Sequence, residues 1–344
     1  MKLKAKLLPF LILPLIMLGC TSAPAKTSEQ PAPKETQKEK ISIVLDWTPN
    51  TNHTGLYVAK DKGYFDEAGV DVEIVPPPEG STTQLIGSGK GQFGISFQDT
   101  LAQNFASDNP MPITSVLAIL QHNTSGVVSL KEQNIATPKA LTGKRYSTWD
   151  DPIELAMLKY IVNQDGGDFE KVTKVPYAEN IIAQLQDKSA NGSDSGWIYY
   201  AWDGIAFKVK GLETNFINFA DYGKELDYYT PVLIANNDYL KDNNQQAQKV
   251  IDAIVKGYEF AAKNPDESAQ ILLNNAPELD KELVVESQKW ISAKYIDDAE
   301  KFGVFDKDRW NNFYAWLWEN KLIDKEIPKD FGFTNDFVNP EKLK

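Results

Sequence analysis

From Ile41 onward the chain alternates between short apolar runs and stretches with helical spacing. Ile41-Ser42-Ile43-Val44-Leu45 predicts a strand, and residues 70–75 predict a second, with apolar Val70, Val72, Ile74 and Val75. Residues 83–86 read as the end of a short helix stopped by Gly87-Ser88-Gly89. Phe93-Gly94-Ile95 reads as a buried strand, 100–106 as a helix, and 113–120 and 126–130 as strands. Strands separated by helices imply a mostly parallel sheet with helices on both faces.

A second unit repeats the alternation. Residues 145–148 predict a strand. A helix then opens with Asp151 as N-cap, Pro152 at the first helical position and Glu154 two residues later, with Leu155, Leu158, Ile161 and Val162 as its apolar stripe. Residues 172–175 form the next strand, 181–185 a helix, and Trp197-Ile198-Tyr199-Tyr200 a strand. Beyond about residue 236 the pattern is helical throughout: Val250, Ile251, Ile254, Tyr258 and Ala261 share one face, Asn264-Pro265-Asp266-Glu267 starts another helix, and 310–318 lie in a further one.

The first 40 residues follow a different rule. Lys2, Lys4 and Lys6 precede an apolar run over 7–18, too short to span a bilayer but suited to a signal-peptide core, and Gly19-Cys20 ends it. This resembles the lipobox of secreted lipoproteins, departing only at Met17, where that family usually has Leu. The resemblance implies a leader over 1–19 and acylation of Cys20, which would tie the protein to the extracytoplasmic face of the cell membrane. Residues 21 to about 40 are Thr, Ser, Ala, Pro, Lys, Glu and Gln with little to bury, the composition of a flexible linker.

Cys20 is the only cysteine of the 344 residues, so disulfides and cysteine–metal clusters within the globular part are excluded. The formal net charge is −12 even with the leader's lysines counted, which argues against nucleic acid and against spontaneous binding to anionic lipid. The two histidines, His53 and His122, are a poor metal set. No Gly-x-Ser-x-Gly, His-Glu-x-x-His or P-loop occurs. Neither an internal repeat nor a second hydrophobic span is present, so the chain is not itself a permease.

Eight tryptophans divide by position. Trp290, Trp310, Trp316 and Trp318 lie on the C-terminal helices at core spacing. Trp47, Trp149, Trp197 and Trp202 sit at or past strand ends, where open α/β sheets bind ligands, and each has carboxylates or amides nearby. Arginine is limited to Arg145 and Arg309, which disfavours an arginine clamp on an anion. Trp, Tyr, Asp and Asn together suit a neutral or weakly basic heteroaromatic ring.

Two α/β units and a helical tail on an exported chain are the organisation of a solute-binding protein. The segment running from Leu45-Asp46-Trp47-Thr48-Pro49-Asn50 through His53 to Gly69-Val70 resembles the thiamine pyrimidine precursor (formylaminopyrimidine) binding proteins. These ThiY-like solute-binding components of ABC transporters are related to thiamine pyrimidine synthases and to nitrate- and sulfonate-binding proteins. The likeness continues in Gly94-Ile95-Ser96-Phe97-Gln98, Trp149-Asp150-Asp151-Pro152, the stretch from Gly196 to Gly204, and Tyr228-Tyr229-Thr230-Pro231.

The resemblance implies an α/β, two-lobed, type II periplasmic-binding-protein-like fold, with a cleft between the lobes and a helical C-terminal part. Lobe 1 would comprise 41–125 plus 232–335, and lobe 2 126–231. It implies a pyrimidine ligand stacked on Trp47, Tyr199 and Trp202 and hydrogen-bonded by Asn50, Ser96, Gln98 and Asp203. Trp149 would lie at the cleft and Tyr229 would close it; the family often has Glu in place of Asp203. His53 reads equally as a pocket residue or a packed loop histidine. The expected partners are a small pyrimidine, an ABC permease and the membrane through the lipid. No cofactor, nucleic acid or second copy is expected. Another heterocycle such as a riboflavin-type precursor, or an extracellular enzyme on the same fold, remains an alternative.

Overall fold

The structure is a computed structural model that describes residues 40–338. The predicted leader, Cys20 and almost all of the linker lie outside the described residues. Ten strands form two five-stranded sheets. In chain order these are β1 (Lys40–Val44), β2 (Asp71–Val75), β3 (Phe93–Ser96), β4 (Ile113–Ala118), β5 (Ser125–Leu130), β6 (Arg145–Thr148), β7 (Thr173–Pro176), β8 (Ser195–Tyr199), β9 (Thr214–Asn218) and β10 (Val232–Asn236).

The first sheet has the order β2-β1-β3-β10-β4 and the second the order β7-β6-β8-β5-β9. In each, the first three strands are parallel, and the fourth runs antiparallel to both of its neighbours. The expected mostly parallel sheets are therefore mixed. The antiparallel strand in each is the one by which the chain enters from the other lobe. This repeated order with two crossovers is the type II two-lobed fold.

Three elements escape the sequence pattern. The apolar pattern predicts neither β9, which has one buried residue, Ile217, nor β10, which runs directly into the helix Asn237–Asp242. The helix Thr54–Asp61 buries its first six residues and so shows no polar face. It lies against the helix Asn244–Lys263, with Gly55 under the ring of Tyr258 and Gly257 against the Gly55 carbonyl; a methyl group at Gly257 would come within 2.1 Å of that oxygen.

One apolar cluster packs the first sheet onto these helices. A second runs from Leu101 and Phe105 through Met157 and Leu158 to Trp310 and Phe313, joining both lobes to the C-terminal helix Lys307–Glu319. Trp310 and Trp316 are core residues as expected. Trp318 is instead 41% exposed, and Trp290 is partly buried against Tyr200, 5.1 Å between ring centroids.

The crossovers between β4 and β5 and between β9 and β10 are pinned together. Asp227 accepts from the Asn123 backbone N–H at 2.9 Å and pairs with His122 Nδ1 at 2.7 Å, while His122 Nε2 lies 3.1 Å from Asp298. Arg309, read from sequence only as part of the tail, donates to the Gln121 carbonyl at 2.6 Å and sits 3.4 Å from Asp227. His122 is held above its ordinary pKa, chiefly by the Asp227 hydrogen bond. Among the described residues no helix is long and apolar enough to cross a membrane.

Candidate functional site

The loop that follows β1 carries the first wall of the site. Its conformation is set by a buried histidine: the Asn50 backbone N–H donates to His53 Nδ1 at 3.2 Å, which leaves the proton on Nε2 to donate to Asp46 at 2.7 Å. His53 is fully buried, the packed-loop alternative of its two readings. The Asn50 side chain is used within the same turn, accepting from Asn52 N at 2.9 Å and donating to the Thr48 carbonyl at 3.1 Å.

Three groups from the C-terminal helices and the turn after Ser292 hold this loop from outside. Tyr258 donates to the Asn52 carbonyl and Tyr295 to the Thr51 carbonyl, both at 2.6 Å, and Ser287 Oγ lies 2.6 Å from Thr51 Oγ1. Ser287 also donates to the Ala201 carbonyl. One serine thus joins the lobe 1 loop to the second wall, a role no motif around it marks.

That second wall follows β8. Residues Tyr200–Gly204 wind as a π-helical turn, a form enriched at functional sites, before an α-helix continues. The turn presents Trp202 and Asp203. Burial pushes the Asp203 carboxyl up to about 6, with a hydrogen bond from the Tyr199 backbone acting the other way. Burial likewise raises Asp99 to about 6, although it accepts from Tyr228 at 3.2 Å.

Two adjoining cavities lie between these walls. The smaller, about 250 Å³, is lined by Trp47, Asn50, Tyr199, Trp202 and Asp203, which are five of the nine expected binding residues, and also by Asp46, Asn52 and Phe97. Phe97 stacks on Tyr199, 5.8 Å apart and 20° from parallel. The larger, about 560 Å³, shares Trp47, Tyr199 and Asp203 and adds Trp149, Trp197, Tyr177 and Glu179. Trp149 is placed by Glu154, whose carboxylate accepts from the Trp149 backbone N–H at 3.2 Å as well as from Tyr146 and Thr148.

The other expected residues do not reach the cavities. Ser96 is buried with its hydroxyl 2.9 Å from that of Thr83. Gln98 is buried and fully engaged, donating to the Trp310 carbonyl at 2.8 Å and accepting from Tyr229 N at 2.9 Å. Tyr229 is buried; its hydroxyl accepts from Asp306 N at 2.6 Å and its ring packs edge-on against Phe305. These side chains hold lobe 1 and the return crossover together, and none of the three lines either cavity. Asn52, by contrast, was missed, and its buried Oδ1 has no hydrogen-bond partner among the described residues.

No lysine or arginine lines either cavity. Arg145 is committed to Ser189 and Asp194, and Arg309 to the crossovers. The site is therefore aromatic and acidic, fit to stack a ring and accept hydrogen bonds from its amino groups. A further cavity of about 660 Å³ lies at the crossovers, lined by His122, Asp227, Trp290 and Lys294; its charged groups are largely paired with one another. Among the described residues no group of three or more His, Cys, Asp or Glu side chains is placed to hold a metal ion.

Comparison with known proteins agrees with this architecture. The chain is 28% identical over 335 residues to the formylaminopyrimidine-binding protein of Halalkalibacterium halodurans, covering 96% of this chain and 98% of that one. It is 28% identical over 257 residues to a 4-amino-5-hydroxymethyl-2-methylpyrimidine phosphate synthase of Saccharomyces cerevisiae, covering 71% and 74%. The alkanesulfonate-binding protein SsuA of Xanthomonas axonopodis pv. citri shares its fold, with a TM-score of 0.63 at 13% identity over 86% of this chain and 98% of that one. The pattern of the NMT1/THI5 like family matches residues 50–268, and the chain belongs to that family.

Proposed function

We propose that this protein is the extracytoplasmic solute-binding subunit of an ABC importer, anchored through a lipid on Cys20, and that it captures a thiamine-related pyrimidine and passes it unchanged to a permease. The observation that carries the reading is the smaller cavity, lined by Trp47 and Phe97 from one lobe and by Tyr199, Trp202 and Asp203 from the other, with the Asp203 carboxyl available to accept from a ring amino group. Its volume is below the roughly 300–1,000 Å³ usual for drug-sized ligands, and so fits one small ring. Capture would be a hinge closure about the crossovers that His122, Asp227 and Arg309 hold together. Transport rather than synthesis is supported by the 98% coverage of the Halalkalibacterium relative, against 74% of the yeast synthase.

Isothermal calorimetry with formylaminopyrimidine, on protein freed of carried-over ligand by unfolding and refolding, tests the reading. One-site binding at micromolar strength or better, with the ligand recovered unchanged, is the expected result. Absence of heat removes the ligand assignment, and a chemically altered ligand removes the transport role.

A further inference from the structure

The smaller cavity opens onto a second one about twice its volume, and a single ring leaves that second space to water. The two share Trp47, Tyr199 and Asp203. The larger has the features of a second ring site. Trp149 lies over Tyr177, 4.8 Å between centroids, and meets Trp197 edge-on at 6.2 Å, so three aromatic rings converge on one side. Trp47 lines the same cavity from lobe 1. Trp47 and Trp149 are 53% and 47% exposed, although large aromatic surfaces are seldom left open without a partner.

The charge of the missing group follows from the lining. Glu179 stands at the rim and Asp203 at the junction, with no cation in either cavity. An anionic substituent such as a phosphate would meet two carboxylates and no counter-charge. A planar cation would lie against Trp and Tyr faces, the arrangement that recognises quaternary nitrogen. Trp47, Tyr199 and Asp203 line both cavities, so one ligand with two joined rings reaches both.

Building on the pyrimidine reading of the smaller cavity, we infer that the site takes two-ring cations, in which an aminopyrimidine is joined through a short link to a positively charged heteroaromatic ring lying between Trp47 and Trp149.

Thiamine is the probe of that class, formylaminopyrimidine the single-ring reference and thiamine monophosphate the anionic control. Each is titrated calorimetrically into the full chain in detergent, stripped of carried-over ligand. Thiamine is expected to bind at least as tightly as formylaminopyrimidine, and the monophosphate at least about tenfold more weakly than thiamine. Trp149→Ala is expected to weaken thiamine about 5- to 30-fold more than it weakens the single ring, the scale of a desolvated cation–π contact. Glu179→Gln, an exposed and conservative change, should shift the same ratio about two- to fivefold by the loss of one partly screened charge. Binding of formylaminopyrimidine without thiamine overturns this inference and leaves the pyrimidine reading intact. Binding of neither overturns both. Thiamine binding that Trp149→Ala and Glu179→Gln weaken no more than single-ring binding overturns the placement of the second ring.

Discussion

Replacing Asp203 with Asn should make the empty protein more stable at neutral pH while weakening its grip on ligand. The carboxyl is pushed from 3.8 to about 6 by burial in an aromatic cavity with no neighbouring cation. Its pKa is higher in the folded state, so the native protein keeps a proton that the unfolded chain has already released. Stability therefore falls as pH rises from about 4 to about 6 and is flat above. At about 1.4 kcal/mol per tenfold in acidity the full effect is about 3 kcal/mol, and solvent at the cleft mouth screens part of it, leaving about 1–3 kcal/mol. Asn fills the same space without charge. Urea unfolding at about pH 7.5 should give a higher midpoint for Asp203→Asn, and at about pH 4, where Asp203 is protonated, the two proteins should converge. Asp99 keeps its own part of the slope in both. An Asn variant that is no more stable at neutral pH, or is changed equally at both, refutes the burial argument.

Trp202→Ala should weaken ligand binding by about 1–3 kcal/mol, the worth of one ring contact, with unaltered calorimetric affinity removing Trp202 from the site. His122→Gln should destabilise the protein below about pH 6.5, where the imidazolium bridge to Asp227 is fully formed, and the deficit should shrink as pH rises through the elevated His122 pKa. Thermal melts across that range check it, and a deficit that grows with pH contradicts it. Gly257→Ala gains about 1 kcal/mol of helix propensity but forces a methyl against the Gly55 carbonyl, and overpacking of about 1–3 kcal/mol or more should win. A raised melting temperature would show that the two helices separate more easily than their contact implies.

The parts of the site that were legible in the sequence share one property: they follow a strand directly. Trp47 and Trp202-Asp203 come just after β1 and β8, where position in an open sheet already points at the ligand. Ser96 fails by one residue, because successive side chains at a strand end face opposite ways and it is Phe97 that reaches the cavity. Gln98 and Tyr229 fail because their partners, Trp310 and Asp306, are distant in sequence. Ser287 was invisible for the same reason: its two contacts lie 236 and 86 residues away. Tyr177 and Glu179 lie just past β7, whose strand the pattern does predict over 172–175; they carry no tryptophan to single them out as the other strand ends do.

β10 has a consequence for the order in which the molecule is assembled. It is the sole neighbour joining β4 to the rest of the first sheet, and it arrives only at Val232–Asn236. The second sheet is complete once β9 ends at Asn218. A chain emerging from its N-terminus can therefore finish the inserted lobe while the outer lobe is still in two pieces, with the edges of β3 and β4 open to wrong pairing. A chain stopped between the two strands would present a protease-resistant core drawn from 125–218 and leave 40–118 susceptible. The half of the cleft bearing Trp149 and Trp202 would exist before the half bearing Trp47.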